Sequence, residues 1–463
     1  MNQRTIKNSA TISGVGIHTG VQTKLTLLPA KENTGIRFIR TDLEGNPVIS
    51  ATIENIFTTN RSTNLKANNA EINTVEHILA SIVGESIDNI IIEVDNIEVP
   101  ILDGSSIAFS ELIQETGTQE LSAKRKFFEV KRKISFTDPE SGTTFTATPA
   151  DEYQVEVEIN YNSNTLGVQT ATLNSINDFK DKIASSRTFC FLHELELLLS
   201  NNLIKGGDVN NAIVIVEDEI SEEKLASLAK AFNKTDIKVE EGGILNNLKL
   251  RHKNEPARHK LLDVVGDLAL LGLPIKGRIT ASKPGHKNNT EFTKYLQNIM
   301  KEDNKKISPE IDFDTPPMYD KAKIKSILPH REPFLFIDEI RELGSDFIIG
   351  TKFVTADEDY FKGHFPGEPV MPGVLQLETM AQAGGVLILS TVDNPEDYLT
   401  FFMKIDNAKF KKKVVPGDRI IFRLNLISPI RRGLCHMHGK GFVDGKIVVE
   451  GDLLAQIAPK NKI

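Results

Sequence analysis

The sequence predicts an α+β protein of several domains, and three observations support this prediction. Strand-like runs at residues 89–94, 154–159 and 212–216 alternate with amphipathic helical segments. A charged stretch with three prolines, residues 301–325, has no sustained periodicity and is typical of a linker. Beyond it, one long apolar helix at about residues 372–390 precedes several strands.

The length of the chain also indicates more than one domain. Its 463 residues are more than a single hydrophobic core can organise. A polar, basic run near residues 120–127 separates two α/β segments within the first part. We therefore predict domains at residues 1–122 and 123–300, a linker at 301–317 and a last domain at 318–463.

Composition excludes several classes of protein. No apolar run reaches the roughly 18 residues that a membrane helix needs, and the first residues lack the apolar core of a secretory signal. The two cysteines, Cys190 and Cys435, lie far apart in the sequence, which argues against a disulfide framework and a thiolate zinc site. We expect a cytoplasmic protein without a transmembrane segment.

The charge of the chain is negative but uneven. A formal net charge of −8 disfavours nucleic-acid binding. From Pro316 onward there are 20 Lys and Arg against 19 Asp and Glu, so residues 1–315 carry −9. A local basic face in the last domain can dock an acidic partner, or it can be an ordinary solvated strand face. The basic cluster consists of Lys409, Lys411, Lys412, Lys413, Arg419, Arg423, Arg431 and Arg432.

The helix that begins near Pro256 carries polar residues that a core does not explain. His259, Asp263 and Asp267 follow one another at i, i+4 and i+8, opposite an apolar stripe. His259 and Asp263 are one turn apart, so both can bind one metal ion. Gly266 among them would let another segment approach. The apolar stripe consists of Leu261, Val264, Val265, Leu268 and Leu271.

A second helix offers a third metal ligand. His77 points away from the apolar stripe of its helix, and Glu76 beside it can reach a water at the metal. Two histidines and one carboxylate with an open fourth position are typical of catalytic zinc, although nitrogen and oxygen ligands also accept iron or cobalt. A solvated Glu-His pair and an ordinary surface His-Asp pair are the alternatives.

A set of motifs, in order from residue 3 to about 300, resembles the UDP-3-O-acyl-N-acetylglucosamine deacetylases of lipid A synthesis. The motifs are Gln3-Arg-Thr-Ile-Lys, Gly14-Val-Gly-Ile-His-Thr-Gly20, Thr74-Val-Glu-His-Ile-Leu-Ala80, Pro100-Ile-Leu-Asp-Gly-Ser105, Ser186-Arg-Thr-Phe189, Asn202-Leu-Ile-Lys-Gly-Gly207, Arg258-His-Lys-Leu-Leu-Asp263 and Lys283-Pro-Gly-His-Lys-Asn288. The resemblance implies two two-layer α/β sandwich domains. It also implies that His77, His259 and Asp263 hold Zn²⁺, and that Glu76 is the general base on the attacking water.

The same resemblance implies further roles in hydrolysis of the sugar acetamide. His286 would protonate the departing amine, with Asp267 holding its imidazole. Thr188 would stabilise the oxyanion together with the metal. Lys260 would contact the nucleotide diphosphate of the UDP-sugar lipid A precursor, and Phe189 would pack against the substrate.

Two features of this part stay open at the level of sequence. Residues 217–257 are more than the family usually needs, with a helical stretch near residues 222–230, so the local fold there is not predicted. His18 lies in a matching motif, where it could position the backbone or contact the substrate.

The last domain contains a second possible proton-transfer pair. His364 lies in a turn-rich segment, and Glu378 lies fourteen residues later in the long apolar helix. Burial there should raise the pKa of the Glu378 carboxyl. Gly373 at the helix start can present a free backbone N–H to a thioester oxygen. The alternative is a buried glutamate satisfied by Gln382, with no duty for His364.

The surrounding motifs resemble the (3R)-hydroxyacyl-[acyl-carrier-protein] dehydratases of fatty acid synthesis, over about residues 318–460. They are Leu328-Pro-His-Arg-Glu-Pro-Phe-Leu-Phe-Ile-Asp338, Gly363-His-Phe-Pro-Gly-Glu-Pro-Val-Met-Pro-Gly-Val-Leu375, Glu378-Thr-Met-Ala-Gln382 and Lys411-Lys-Lys-Val-Val-Pro-Gly-Asp418. The resemblance implies a hot-dog fold. His364 would take the C2 proton, Glu378 would assist loss of the 3-hydroxyl, and the Gly373 N–H would hold the thioester oxygen.

The two resemblances together imply a bifunctional enzyme. Members of the dehydratase family form dimers, often assembled as hexamers, in which His and Glu come from opposite chains, and acyl carrier protein is the expected partner of the basic cluster. Two alternatives remain. Both folds could act on other substrates, or the last domain could be a non-catalytic module for oligomerisation and carrier-protein binding.

Overall fold

A computed structural model of the protein describes residues 1–194, 211–218, 220–231, 237–240, 243–245, 248–304 and 308–460. The chain divides into two compact units, Met1–Met300 and Lys301–Ile463. Among the described residues, no helix combines the length and the apolar character that are needed to cross a membrane.

The first unit is rich in short strands and has two central helices. Its strands are β1 (Asn2–Ile6), β2 (Ala10–Val15), β3 (Gln22–Pro29), β4 (Ile36–Arg40), β5 (Val48–Ser50), β6 (Ile56–Thr58), β7 (Asn64–Ala67), β8 (Ala70–Ile72), β9 (Ile90–Val94), β10 (Thr118–Lys124), β11 (Phe128–Glu129), β12 (Ile134–Thr137), β13 (Thr144–Thr148), β14 (Tyr153–Asn160), β15 (Val168–Leu173), β16 (Phe189–Phe191), β17 (Ile213–Ile215), β18 (Val239–Glu240), β19 (Ile244–Leu245) and β20 (Ile275–Ser282). The helices are α1 (Glu76–Gly84), α2 (Ile107–Thr116), α3 (Glu222–Ala231), α4 (Glu255–Leu268) and α5 (His286–Asn304).

Two sheets, each covered by helices, form the body of this unit. The first has the order β2-β3-β9-β4-β5, and α1 lays Ile78, Leu79 and Ile82 into its core. The second has the order β12-β13-β20-β14-β15, and α4 lays Leu261 and Val264 into its core. The predicted pair of two-layer sandwiches is therefore confirmed.

The helices α1 and α4 meet at Gly266. A Cβ atom at this position would lie 2.1 Å from the carbonyl oxygen of Glu76, a distance that only a glycine permits. The face of α4 opposite the apolar stripe is consequently buried against α1, and His259, Asp263 and Asp267 are all at most 2% exposed.

A small separate sheet with one helix begins at β16. Strands β16, β17, β19 and β18 form a four-stranded sheet in that order. The helical stretch near residues 222–230 is α3, which places Leu228 in a small core with Val214 and Leu245.

The second unit is a six-stranded antiparallel sheet around one long helix. Its elements are α6 (Lys321–Ile327), β21 (Glu339–Leu343), β22 (Phe347–Phe353), α7 (Gly373–Leu389), β23 (Tyr398–Phe410), β24 (Arg419–Leu426), β25 (Leu434–Val443) and β26 (Lys446–Pro459). The order β21-β22-β24-β25-β26-β23 places β23 at an edge, and α7 buries Met380 and Val386 against the sheet. This arrangement is the predicted hot-dog fold, and the helix predicted at 372–390 is α7.

The stretch predicted to lack periodicity is partly helical. Helix α5 continues to Asn304, and α6 begins at Lys321. Between them, residues 308–318 have neither helix nor strand. This segment nevertheless packs on the second unit, because the Arg341 guanidinium donates to the Thr315 carbonyl oxygen at 2.7 Å and the Arg419 guanidinium lies 3.7 Å from the Phe313 ring centre. The three boundaries between the four predicted segments stay predictions.

Candidate active sites

Helices α1 and α4 bring two histidines and one carboxylate together. Nε2 of His259 lies 3.4 Å from Asp263 Oδ1, and Nε2 of His77 lies 4.0 Å from the same oxygen. One ligand atom from each of the three residues lies within 4.8 Å of the others. Zinc bonds of about 2.0–2.2 Å would place tetrahedral ligands about 3.3–3.6 Å apart, so small side-chain shifts would complete a site.

The hydrogen bonds at this cluster also fit a cation. Asp263 Oδ1 is buried and has no hydrogen-bond partner among the described residues, which is costly unless a cation satisfies it. The Nδ1–H of His259 donates to the Ser186 carbonyl oxygen at 3.1 Å, so the lone pair of its Nε2 faces Asp263.

Local electrostatics keep all three side chains in the form that binds metal. Burial, reinforced by the neighbouring His259 ring, lowers the pKa of His77 to about 3. Burial likewise lowers the pKa of His259. Burial alone would raise the pKa of Asp263, but His259 and Lys260 outweigh it and hold that pKa far below its usual value. Neutral imidazoles and an ionised carboxylate are the ligand forms.

An acid–base pair lies beside the cluster. Glu76 Oε1 is 3.9 Å from Nε2 of His286, whose Nδ1–H donates to Asp267 Oδ2 at 2.9 Å. Burial raises the pKa of Glu76 to about 7. Burial also opposes the charged form of His286, but three carboxylates outweigh it, with Asp267 the nearest, and raise its pKa to about 9. Near neutral pH a partly ionised carboxylate therefore faces an imidazolium.

The remaining predicted residues line the same cavity, which has a volume of about 430 Å³. Thr188 and Phe189 stand in its wall, and the Lys260 ammonium lies 5.6 Å from the Phe189 ring centre. Lys260 also donates to Asp263 Oδ2 at 2.8 Å, so its charge acts on the cluster of possible metal ligands as well as on the cavity.

Sequence reasoning missed several residues of this site. Arg61 and Tyr161 also line the cavity, without a motif that would have marked them. Arg187 donates through Nε to Glu255 Oε1 at 2.8 Å, in a buried pair that ties the strand of Phe189 to the first residue of α4. Arg187 lies in the Ser186–Phe189 motif, and this motif could have marked it as a residue of the site.

In the second unit, His364 is half-buried and its tautomer is fixed by a hydrogen bond. Its Nδ1–H donates to the Val370 carbonyl oxygen at 2.8 Å. Because a carbonyl can only accept, Nε2 is left as the basic nitrogen.

Glu378 lies on α7 in separate surroundings, and no hydrogen bond or ion pair joins it to His364 within the described part of one chain. Gln382 donates to Glu378 Oε1 at 3.0 Å, as the alternative interpretation expected. His330, which was not singled out, lies 3.6 Å from that oxygen through its Nε2. A mostly apolar cavity of about 210 Å³ extends from these residues between α7 and the sheet.

Gly373 begins α7 and is crowded by an aromatic ring. A Cβ atom there would lie 2.7 Å from the Phe410 ring. The first N–H groups of a helix have no partner within the helix, so Gly373 offers a backbone donor at a position where a side chain would clash with the Phe410 ring.

Comparisons with known proteins agree with this two-part construction. The family model for UDP-3-O-acyl N-acetylglycosamine deacetylase matches residues 3–232 and 226–298, and the FabA-like domain model matches residues 328–452. Fold and sequence thus define an enzyme with a deacetylase part and a FabA-like part. The "Bifunctional enzyme LpxC/FabZ" of Bacteroides thetaiotaomicron is 46% identical over 462 residues and covers 100% of both chains. This chain belongs to the family of bifunctional LpxC/FabZ enzymes.

Single-function relatives match the first part alone. The "UDP-3-O-acyl-N-acetylglucosamine deacetylase" of a Psychrobacter species is 34% identical over 301 residues, which is 64% of this chain and 93% of that protein. Among solved structures, "The Dehydratase Heterocomplex ApeI:P from Xenorhabdus doucetiae" aligns with 30% of this chain and 92% of that chain, at 18% identity and a TM-score of 0.27.

Proposed function

We propose that the chain catalyses two reactions. The first is zinc-dependent hydrolysis of the N-acetyl group of UDP-3-O-(3-hydroxyacyl)-N-acetylglucosamine. The second is dehydration of (3R)-hydroxyacyl-acyl carrier protein to the trans-2-enoyl product. The observation that carries the first reaction is the buried cluster of His77, His259 and Asp263, in which Asp263 Oδ1 lacks a hydrogen-bond partner among the described residues.

In the first reaction, a water attacks the acetamide carbonyl, the C–N bond breaks, and acetate and a free amine leave. Zinc held by the cluster would polarise the carbonyl and lower the pKa of the water. Glu76 accepts the proton of the water, since its pKa is near neutral. His286 donates a proton to the leaving nitrogen, and Asp267 keeps its imidazole charged and oriented. The Thr188 hydroxyl would stabilise the developing oxyanion.

The substrate would be held by the wall of the same cavity. Phe189 offers an apolar face for the substrate, and Lys260 offers a cation for the diphosphate. The apolar residues of this wall would also receive the acyl chain.

In the second reaction, His364 Nε2 removes the C2 proton and Glu378 protonates the departing 3-hydroxyl, which leaves as water. The Gly373 N–H holds the thioester oxygen as negative charge develops. Because His364 and Glu378 are not in contact within one chain, we propose that a dimer or hexamer completes the pair. The basic cluster at Lys409–Arg432 would dock the acidic carrier protein.

The metal is tested by chelation of the full chain. Dipicolinate should reduce acetate release by at least about 100-fold, while dehydration of hydroxyacyl-carrier protein continues at the untreated rate. Added Zn²⁺ should restore acetate release. Full acetate release from metal-depleted protein would contradict the zinc assignment.

The second site is tested by His364→Ala. We expect dehydration to fall on the order of 10²–10⁴-fold, because a general base is lost, while acetate release is unchanged. The hydrogen bond from Gln382 to Glu378 favours the one competing function, a non-catalytic carrier-protein-binding and oligomerisation module. Dehydration at the wild-type rate by His364→Ala would reject the proposed base and favour that module.

A further inference from the structure

Glu98 is a buried carboxylate that the two proposed reactions do not use. It is 0% exposed and forms no ion pair with lysine or arginine among the described residues. An ionised carboxylate is costly to bury in this way unless several donors surround it. The role of Glu98 should therefore be sought in the groups that donate hydrogen bonds to its carboxylate.

Four hydrogen bonds connect Glu98 to two separate segments of the site. The backbone N–H of His18 and the hydroxyl of Thr74 donate to Oε1 at 3.0 and 2.9 Å. The backbone N–H and the hydroxyl of Thr19 donate to Oε2 at 2.8 and 2.6 Å. One side chain thus joins the loop of the Gly14–Gly20 motif to Thr74, which lies two residues before the first residue of helix α1.

The first segment places His18 in the wall of the metal cavity. Its loop closes tightly on the carboxylate, since a Cβ atom at Gly16 would lie 2.3 Å from Glu98 Oε2. A glycine is needed at position 16 because the buried Glu98 carboxylate leaves no room for a side chain there.

The second segment is strained. Thr74 has φ +61°, a left-handed conformation that a β-branched residue rarely adopts. The side chains of Glu98 and Asn64 hold it, through the Thr74 hydroxyl and the Thr74 N–H respectively. Helix α1, with Glu76 and His77 in its first turn, starts two residues later.

We propose that Glu98 is a positioning residue of the deacetylase site, which holds His18 in the cavity wall and Thr74 in the conformation that starts α1. The inference rests on the proposed deacetylase function and deepens it. Glu98 should therefore have two effects. The His18 segment faces the substrate cavity and should affect KM, whereas the Thr74 segment leads to the proposed metal ligand His77 and should affect Zn²⁺ affinity.

The test uses Glu98→Gln in the full chain. The amide NH₂ group replaces one acceptor, so one pair of donors loses its partner. We expect kcat/KM for acetate release to fall about 10–100-fold, and the Kd for Zn²⁺, measured by competition with a chelator, to rise about 10-fold. Dehydration by the same preparation should be unchanged.

Two further variants separate the effects. Thr74→Gly adopts a positive φ without help, so the double variant Glu98→Gln/Thr74→Gly should recover the Zn²⁺ affinity but not KM. Gly16→Ala crowds the same carboxylate from the side of the His18 segment and should raise KM while Glu98 itself is not substituted.

Asp88→Asn is the matched control, because Asp88 is a largely buried carboxylate that pairs with Arg125 and does not line the metal cavity. It should lower the melting temperature without changing KM or Zn²⁺ affinity. The proposal is overturned if Glu98→Gln also lowers only the melting temperature. Wild-type chain without chelator-sensitive acetate release would instead reject the proposed function, and the Zn²⁺ affinities would still test Glu98.

Discussion

At the scale of single residues, the proposed deacetylase site depends on neighbouring residues that set the protonation states of Glu76 and His286. Glu76 is buried and the His286 side chain is only 11% exposed, so each would on its own favour its neutral form. Asp267 shifts the balance for His286, because its Oδ2 accepts the Nδ1–H at 2.9 Å and its charge favours the imidazolium. Thr63 and Asn289 donate to Asp267 and keep it in place.

We predict that Asp267→Asn lowers the pKa of His286, because the nearest negative charge is removed. The imidazolium then loses its proton at lower pH, so the alkaline limb of the pH profile for acetate release should move to lower pH. Activity at pH 8 should fall on the order of 10–100-fold.

Thr63→Val serves as the control for this substitution. It removes a hydrogen bond to Asp267 Oδ1 but leaves the charge of Asp267 in place. Its alkaline limb should stay where it is in the wild type. An unmoved limb in Asp267→Asn would show that His286 does not titrate in this limb.

At the scale of elements, the cluster of His77, His259 and Asp263 forms because α1 and α4 approach closely at one glycine. His77 belongs to one helix and His259 with Asp263 to the other, so the distance between the helices sets the ligand distances. Gly266 sits at the contact and leaves no room for a side chain.

We predict that Gly266→Ala pushes α1 away from α4. The free energy of unfolding should fall by about 1–3 kcal/mol, as is usual for overpacking, and the Kd for Zn²⁺ should rise. Denaturant unfolding and chelator competition measure the two effects. Gly285→Ala is the control for stability, since a Cβ atom there meets nothing within 4 Å. Unchanged Zn²⁺ affinity in Gly266→Ala would contradict the proposed dependence on helix spacing.

At the scale of the whole molecule, the second unit ends its sheet on an unprotected strand. β23 lies at the edge of the sheet and exposes several apolar side chains. Such an edge invites pairing with another chain unless it is covered. A second copy of this chain would cover it and bring another His364 and Glu378 into the assembly. The exposed apolar residues of β23 are Phe401, Phe402, Met403, Ile405 and Phe410.

We predict that Met403→Lys lowers the mass of the full chain in solution, because a two-fold interface would bring two new charges together. Light scattering should show a smaller species, dehydration should be lost, and acetate release should persist. Ile427→Lys is the control, since Ile427 is an exposed apolar residue outside β23. An unchanged mass for Met403→Lys would exclude β23 from the interface.

The sequence by itself was sufficient to predict the fold class and the residues that form the main helices. The period of the apolar residues predicted α4 and α7, because a helix must bury one stripe whatever its neighbours are. The spacing of the apolar residues could not show that the polar face of α4 is buried as well. That burial arises from α1, which lies far away in sequence and meets α4 at Gly266.

The sequence motifs by themselves identify His77, His259, Asp263, Glu76 and His286, because local sequence carries the residue types that the chemistry needs. Only the tertiary structure decided which atoms meet: the unpartnered oxygen of Asp263, the four donors on Glu98 and the separation of His364 from Glu378 in one chain. The physical reason is that hydrogen bonds and desolvation depend on distance in space. Residues far apart in sequence come within that distance only when the helices and sheets pack.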